Sequence, residues 1–171
     1  EGGFQAVSIC TPPFLHADMA VECAKQGYSV LVEKPMAVSL EECDRMTAAA
    51  NEAGVLLMVS LNQRYLAAHQ IAKEILDSGI LGRPYLVHGV FGHSGPEVWS
   101  PTQQWYFRPE RAGLGVLADL GYHKIDLVRW MTGQEVAQIN AFTQTFEKGT
   151  TLEDTAVLTL SLSEGTLVTL Q

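Results

Sequence analysis

The chain has 171 residues, enough for one ordinary domain or for parts of two. Apolar residues make up 47% and charged residues 18% of it, which excludes an intrinsically disordered chain. Its net charge of −8 excludes a surface suited to nucleic acid or an anionic membrane, and no apolar run reaches the ~18 residues of a transmembrane helix.

Strands and helices alternate over the first ~62 residues. Short strands are predicted at 6–11, 29–32 and 55–60, with helices at 16–26 and 39–53 between them. Each strand is an almost continuous apolar run, which is typical of strands buried on both faces of a parallel sheet. The order therefore predicts an α/β unit over residues 1–62, with right-handed crossovers.

The pattern changes after residue 62. In chain order the sequence predicts a helix at 67–77, a strand at 84–90, a loop at 92–115, a helix at 116–131 and strands at 137–146, 155–162 and 166–170. The long loop is rich in aromatic residues, namely Trp99, Trp105, Tyr106 and Phe107, and such loops are more often functional than idle. Residues 63–171 are thus predicted to form an α+β unit with a mostly antiparallel sheet.

The tripeptide Glu33-Lys34-Pro35 directly follows the second predicted strand. Ligands bind beyond the carboxyl ends of strands in open parallel sheets, and a partly desolvated lysine there has a pKa closer to an acid/base range. Pro35 disfavours helical backbone at Lys34 and permits a cis bond. The alternative is a surface loop with a pair of neighbouring charges.

Two further groups of polar residues follow the other strands. Thr11, Pro12, Pro13 and His16 come after the first strand, where Thr11 is predicted to cap the next helix and its N-terminus to receive a polar or anionic group. Asn62, Arg64 and Tyr65 follow the third strand, where Asn62 would meet a cofactor amide and the other two a polar substrate. For both groups of residues, the alternative is a turn that binds no ligand.

Asp119 and His123 are four residues apart on a predicted helix and therefore share a face. A carboxylate beside an imidazole fixes its tautomer and serves proton transfer. Compensation of the helix N-terminus and a satisfied internal pair remain as alternatives. No third residue has convincing ligand spacing, so no metal site is predicted.

Taken together, the motifs resemble the Gfo/Idh/MocA (glucose–fructose oxidoreductase / inositol dehydrogenase) family. The matching segments are VSICTPPFLH (7–16), VLVEKPMAVS (30–39), SLNQRY (60–65), GRPYLVHG (82–89), WYFRPERAGLG (105–115) and VLADLGYHKIDLVRWMTG (116–133). The resemblance implies a Rossmann domain, then a domain with a large open sheet. It also implies oxidation or reduction, with NAD or NADP, at a hydroxyl- or carbonyl-bearing carbon of a sugar, cyclitol or related polyol.

The resemblance also implies roles for individual residues. Lys34 corresponds to a lysine near the nicotinamide and the reacting oxygen. Asp119 and His123 correspond to a D-x-x-x-H pair, in which the histidine is the general acid/base. The cofactor side would comprise Thr11, Pro12, Pro13, His16, Glu33, Lys34, Asn62 and Trp105. The substrate side would comprise Lys34, Arg64, Tyr65, Tyr122 and His123. The chain departs from the family pattern at Pro13, Tyr106 and Leu114.

No G-x-G-x-x-G turn follows the first strand, so the resemblance implies only the later half of a Rossmann domain (1–62) and part of the second domain (63–171). The sequence does not distinguish NAD from NADP as the cofactor.

Reduced Cys10, Cys23 and Cys43 favour a cytoplasmic location. Thr159 and Ser161 lie on a charge-poor sheet face, which predicts a homo-oligomer through the second sheet. A non-catalytic binding protein and a metal-dependent hydrolase remain as alternatives.

Overall fold

The computed structural model describes residues 3–95, 98, 102, 104–146 and 149–171. The strands in these ranges are β1 (Ala6–Ile9), β2 (Ser29–Glu33), β3 (Leu57–Ser60), β4 (Leu86–Gly89), β5 (Val136–Gln144), β6 (Thr155–Leu162) and β7 (Leu167–Leu170). The helices are α1 (His16–Lys25), α2 (Leu40–Ala53), α3 (Ala67–Asp77), α4 (Pro109–Ala112) and α5 (Tyr122–Thr132). None of the described helices has the length and apolarity needed to cross a membrane. Trp99 lies outside the described residues.

The first unit is a three-stranded parallel sheet in the order β1-β2-β3, as the sequence predicts. One face of this sheet is covered by α1 and α2, and there Ile9, Val30 and Val32 are each at most 3% exposed. The prediction of burial on both faces is wrong for this chain, because Leu31 and Met58 on the opposite face are 38% and 49% exposed. Ala20 of α1 and Met46 of α2 complete this core. The carboxyl ends of β1 and β2 therefore lie side by side.

The two helices of this unit begin differently. At α2 the Ser39 hydroxyl accepts a hydrogen bond from the Glu42 N–H at 3.2 Å, as a capping serine should. The prediction that Thr11 caps α1 is wrong. A 3₁₀ turn, Pro13–Leu15, separates Thr11 from α1, and the Thr11 hydroxyl lies 3.6 Å from the sulfur of Met19 instead.

The second sheet has the order β4-β7-β6-β5. The pairs β5–β6 and β6–β7 are antiparallel, and β6 and β7 form the predicted hairpin around Gly165, whose φ is +87°. β4 pairs parallel to β7, which local sequence could not reveal because the paired residues are 81 positions apart along the chain. The sheet is therefore mixed and mostly antiparallel.

One face of this sheet packs on α5, and the other is open. Leu158, Leu160, Leu162, Val168 and Leu170 form the buried face, with Val128 of α5 against them. Residues of the opposite face are exposed; Phe142, for example, is 80% exposed. The predicted open sheet is thus present, and no helix among the described residues covers its outer face.

The helix predicted at 116–131 is not uniform. Leu117–Gly121 form a π-helical turn, which then continues into α5. Such a wide turn inserts an extra residue into the helical repeat and is found frequently at functional sites. Because the turn contains Asp119, its relation to His123 is not that of two residues in a regular α-helix.

Candidate active site

A cleft of about 1080 Å³ lies where the carboxyl ends of β1 and β2 face the second unit. Several of the predicted site residues line it: Thr11, Pro12, Pro13, Glu33, Lys34, Trp105 and Asp119. Lys34 is fixed at its rim by the end of β2 and by a cis peptide bond to Pro35. The opposite wall comes from the π turn, the beginning of α5 and the loop after β4.

Lys34 and Asp119 meet in this cleft although 85 positions separate them in the chain. The Lys34 ammonium lies 2.7 Å from Asp119 Oδ1 and 3.0 Å from the Asp119 backbone carbonyl oxygen, so it donates to both. The side chains are only 18% and 22% exposed. Burial by itself raises the pKa of Asp119, but the charge and hydrogen bond of Lys34 outweigh it, and the pKa is lowered overall.

His93 is a member of this group that the sequence reasoning did not select. Its Nε2 lies 3.1 Å from Oδ2 of Asp119, so the carboxylate joins a lysine and an imidazole. His93 stands between two loop residues, Gly92 and Ser94, in a segment without periodicity. Its flanking glycine and its place in the long loop were the only signals available.

His123 is 8% exposed, and its Nδ1 is buried without a hydrogen-bond partner. Asp119 makes no hydrogen bond with it, so the predicted carboxylate–imidazole contact is not formed. The ring meets Phe91 edge-on, with centroids 6.4 Å apart. Burial, and next the positive charge of Lys34, lower the pKa of His123, which keeps the ring neutral at neutral pH. His123 itself is not among the residues that line the cleft.

His16 is fully buried and holds two loops together at the sheet edge. One ring nitrogen lies 2.7 Å from the carbonyl oxygen of Thr11, and the other lies 3.0 Å from that of Pro35. It does not line the cleft; it connects the segment after β1 with the segment that carries Lys34.

Across the cleft, Trp105 stacks on Tyr106 with ring centroids 3.7 Å apart. Burial, with the nearby Asp119 charge, raises the pKa of Tyr106 to about 12.

The remaining predicted residues lie outside the cleft lining. Asn62 and Tyr65 are exposed, and both belong to the 3₁₀ turn after β3. Arg64 of the same turn makes a two-pronged ion pair with Asp126 of α5, including a 2.8 Å bond from Nε to Oδ2. Tyr122 is partly buried beside Met36, and burial raises its pKa. Asp126, which the sequence reasoning did not select, thus fixes α5 against the turn that follows β3.

Two glycines bring the loop before the π turn close to its neighbours. A Cβ on Gly115 would lie 2.0 Å from the backbone oxygen of Glu153, whose carboxylate accepts the N–H groups of Gly115 and Leu117 at 2.9 and 3.1 Å. Gly113 has a φ of +77°, which favours glycine. Among the described residues, no group of three or more His, Cys, Asp and Glu side chains is placed to hold a metal ion.

Comparison with known proteins agrees with this geometry. Residues 1–61 match the oxidoreductase family with an NAD-binding Rossmann fold, and residues 69–171 match the GFO/IDH/MocA C-terminal domain. The chain belongs to the Gfo/Idh/MocA oxidoreductase family. Residues 62–68 lie between the two matched ranges.

Other members of the Gfo/Idh/MocA family are similar over most of this chain. The levoglucosan dehydrogenase of Pseudarthrobacter phenanthrenivorans is 32% identical over 82% of the chain and 36% of its own length. The scyllo-inositol 2-dehydrogenase (NAD(+)) of Bacillus subtilis is 30% identical over 82% of the chain and 39% of its length. The WlbA dehydrogenase of Bordetella pertussis, solved with NADH and UDP-GlcNAcA, has 32% identity and a TM-score of 0.86 over 99% of the chain and 52% of its own. The chain thus spans about half the length of its relatives or less.

The residues at the cleft fit the nicotinamide dinucleotide that binds to this family's Rossmann domain. The turn after β1 and the end of β2 line the cleft at the carboxyl edge of a parallel sheet, where such cofactors bind. Lys34 lines the cleft at this edge, and its charge acts on the buried ring of His123. The site therefore offers both a place for the cofactor and polar groups for a reacting oxygen.

Proposed function

We propose that the full-length protein is an NAD(P)-dependent oxidoreductase that transfers a hydride between nicotinamide and a hydroxyl- or carbonyl-bearing carbon of a sugar, cyclitol or related polyol. The observation that carries this proposal is the contact of Lys34 with Asp119 in the cleft at the carboxyl edge of the sheet. The nicotinamide, when bound, supplies the hydride chemistry. The relatives' names supply the substrate class.

The ion pair with Asp119 holds the Lys34 side chain in place inside the cleft. Of its donors, two reach Asp119, and an ammonium has three. We expect the third to bind the substrate oxygen and to stabilise the negative charge that develops when this oxygen loses its proton. Asp119 orients the lysine and compensates its charge.

His123 is proposed to accept the proton. Burial and Lys34 lower its pKa, so the neutral base predominates at neutral pH. Its Nδ1 is buried without a hydrogen-bond partner and His123 does not line the cleft, so the proposal requires the bound substrate or the ring to move into contact. His93, on the other oxygen of Asp119, is only partly buried and offers a route between that carboxylate and solvent.

Substitution of Lys34 tests the proposal. The full-length Lys34→Met variant should lose about a hundredfold or more in kcat/KM for polyol oxidation, because a positioned charged donor is worth this much in a water-poor site. The exposed Lys25→Met variant on α1 should retain wild-type activity. Reduced NAD(P) is followed by its absorbance. Equal activity of both variants, or polyol turnover that needs no nicotinamide, would rule the proposal out.

We also propose that the full-length protein is a homo-oligomer through the open face of the second sheet, and that it resides in the cytoplasm. By register, Gln138, Asn140 and Phe142 of β5 share this face with Ser161, Thr159 and Val157 of β6, and none of them is charged. Thr159 is exposed and Ser161 is partly buried.

The test is the mass of a variant with both Thr159→Lys and Ser161→Lys, measured by light scattering. We expect it to be the monomer mass, since two new charges would have to be buried in the contact. The exposed Asn51→Lys variant on α2 is the control and should keep the wild-type mass. An unchanged oligomer in the double variant would exclude this interface.

A further inference from the structure

Lys124 lies in the wall of the cleft without a carboxylate partner. It follows His123 in α5, and its side chain is only partly exposed. Lys34, in the same cleft, is bound to Asp119 at 2.7 Å. Among the described residues no acidic side chain lies within ion-pair distance of Lys124.

The contact that Lys124 does make is with an aromatic ring. Its ammonium lies 4.4 Å from the centroid of Phe91, a residue of the loop after β4 that also lines the cleft. An aromatic face attracts a cation and positions it, but it does not neutralise its charge. The ammonium is therefore held in the wall by the ring, and no ion pair with it is found in the part of the chain that the structure describes.

Among the described residues, none of the four acidic side chains that line the cleft forms an ion pair with Lys124. Each of the four accepts a hydrogen bond from another group: Glu33 from the Lys34 N–H, Asp119 from the Lys34 ammonium, Glu153 from the N–H groups of Gly115 and Leu117, and Asp154 from the Phe146 N–H. The described lining of the cleft contains two lysines and no arginine. Lys124 thus contributes one positive charge that an incoming group can neutralise.

Burial of an ammonium disfavours its charged form, and accordingly burial lowers the pKa of Lys124. A bound anion would raise the pKa of Lys124 again, because its negative charge would offset the free-energy cost of desolvating the ammonium. The charge of Lys124 also contributes to lowering the pKa of His123, which shows that the ammonium is close enough to act on the proposed base. A ligand bound at Lys124 would therefore extend towards the site of chemistry.

We propose that Lys124 binds a carboxylate of the substrate, so that the preferred substrates are sugar acids or other acidic polyols rather than neutral ones. A single ammonium without a neighbouring arginine matches one negative charge; phosphate sites combine several donors and charges. This inference rests on the proposed oxidoreductase function and specifies its substrate class. Lys124 is a specificity-determining residue in this scheme, because its charge acts on substrate binding.

The experiment compares matched substrates with the full-length enzyme and either nicotinamide cofactor. The pairs are D-glucuronate with D-glucose and D-galacturonate with D-galactose, and D-glucose 6-phosphate represents a dianion. We expect the wild type to favour at least one acid over its neutral counterpart by about tenfold or more in kcat/KM, as one charged hydrogen bond provides. Lys124→Met should abolish this preference, chiefly by raising KM for the acids, so that kcat/KM falls about tenfold more for the acids than for the neutral sugars. Lys124→Arg should keep most of it.

Lys73→Met is the matched control. Lys73 also lies over an aromatic ring, 6.0 Å from the centroid of Trp130, but it is on α3 and outside the cleft. This variant should keep the preference for acids. Equal loss for acids and neutral sugars in Lys124→Met would assign Lys124 a structural role and overturn the inference. A preference for the phosphate ester, or for neutral sugars, would overturn it as well.

Calorimetry separates this inference from the proposed function. D-glucuronate and D-galacturonate are titrated into the wild type and into Lys124→Met, both with the cofactor present. Weaker binding to the variant, in an enzyme that turns over none of these compounds, would support Lys124 as the anion site and contradict the proposed activity. Turnover of neutral sugars with no acid binding would support the activity and overturn the anion site. Binding of neither acid would also overturn it.

Discussion

The ion pair between Arg64 and Asp126 should contribute strongly to stability, because it joins α5 to the turn after β3 through a buried carboxylate. The Asp126 side chain is 8% exposed and the Arg64 side chain 34%. Two parallel hydrogen bonds connect them, and the hydrogen bond to Asp126 is the main reason why the pKa of Arg64 is raised. The pair fixes α5, which carries His123 and Lys124, against the turn after β3.

The two single substitutions should differ in cost. Arg64→Met leaves a buried carboxylate unpaired, and this costs about 3–5 kcal/mol. Asp126→Leu leaves a guanidinium that is one-third exposed and partly solvated, so we expect roughly 1–3 kcal/mol. The double variant replaces both charges by apolar groups and should cost about 2–3 kcal/mol less than the sum of the single variants.

Urea unfolding of the full-length protein, followed by tryptophan fluorescence, measures all four proteins of this cycle. The exposed pair of Arg45 with Asp18, at 50% and 81% exposure, serves as the control, and its coupling should stay below about 1 kcal/mol. Additive costs for Arg64 and Asp126, within about 0.5 kcal/mol, would show that the buried pair contributes no more than a surface one.

Two further predictions concern the acid/base group and the loop before the π turn. In the pH profile of kcat/KM for polyol oxidation, the acidic limb should have its midpoint below the ordinary imidazole pKa of 6.5, because burial and the Lys34 charge disfavour protonation of His123. In Lys34→Met this midpoint should move up towards 6.5. An unmoved midpoint would exclude His123 as the base. Gly115→Ala should destabilise the protein by about 3 kcal/mol, because its Cβ would meet the Glu153 carbonyl, whereas Gly149→Ala, in open space, should be nearly neutral in urea unfolding.

Local patterns accounted for the first unit. Apolar strands bounded by glycine and proline identified β1, β2 and β3, and the parallel sheet followed from their alternation with helices. The position of Lys34 at the end of β2 placed it at the ligand edge, since parallel strands end together. Ser39 identified the start of α2, because a capping bond involves residues only three positions apart.

What only the tertiary structure decided depends on partners distant in sequence. Asp119 bonds with Lys34 and His93 instead of His123, because the π turn changes the helical repeat and no short-range rule predicts such a turn. The parallel pairing of β4 with β7 likewise joins remote segments. The sequence by itself determined that Lys34 lies at the carboxyl end of β2, because local apolar runs mark the strands. Long-range packing decided that its charge is paired with Asp119, since 85 positions separate the two residues.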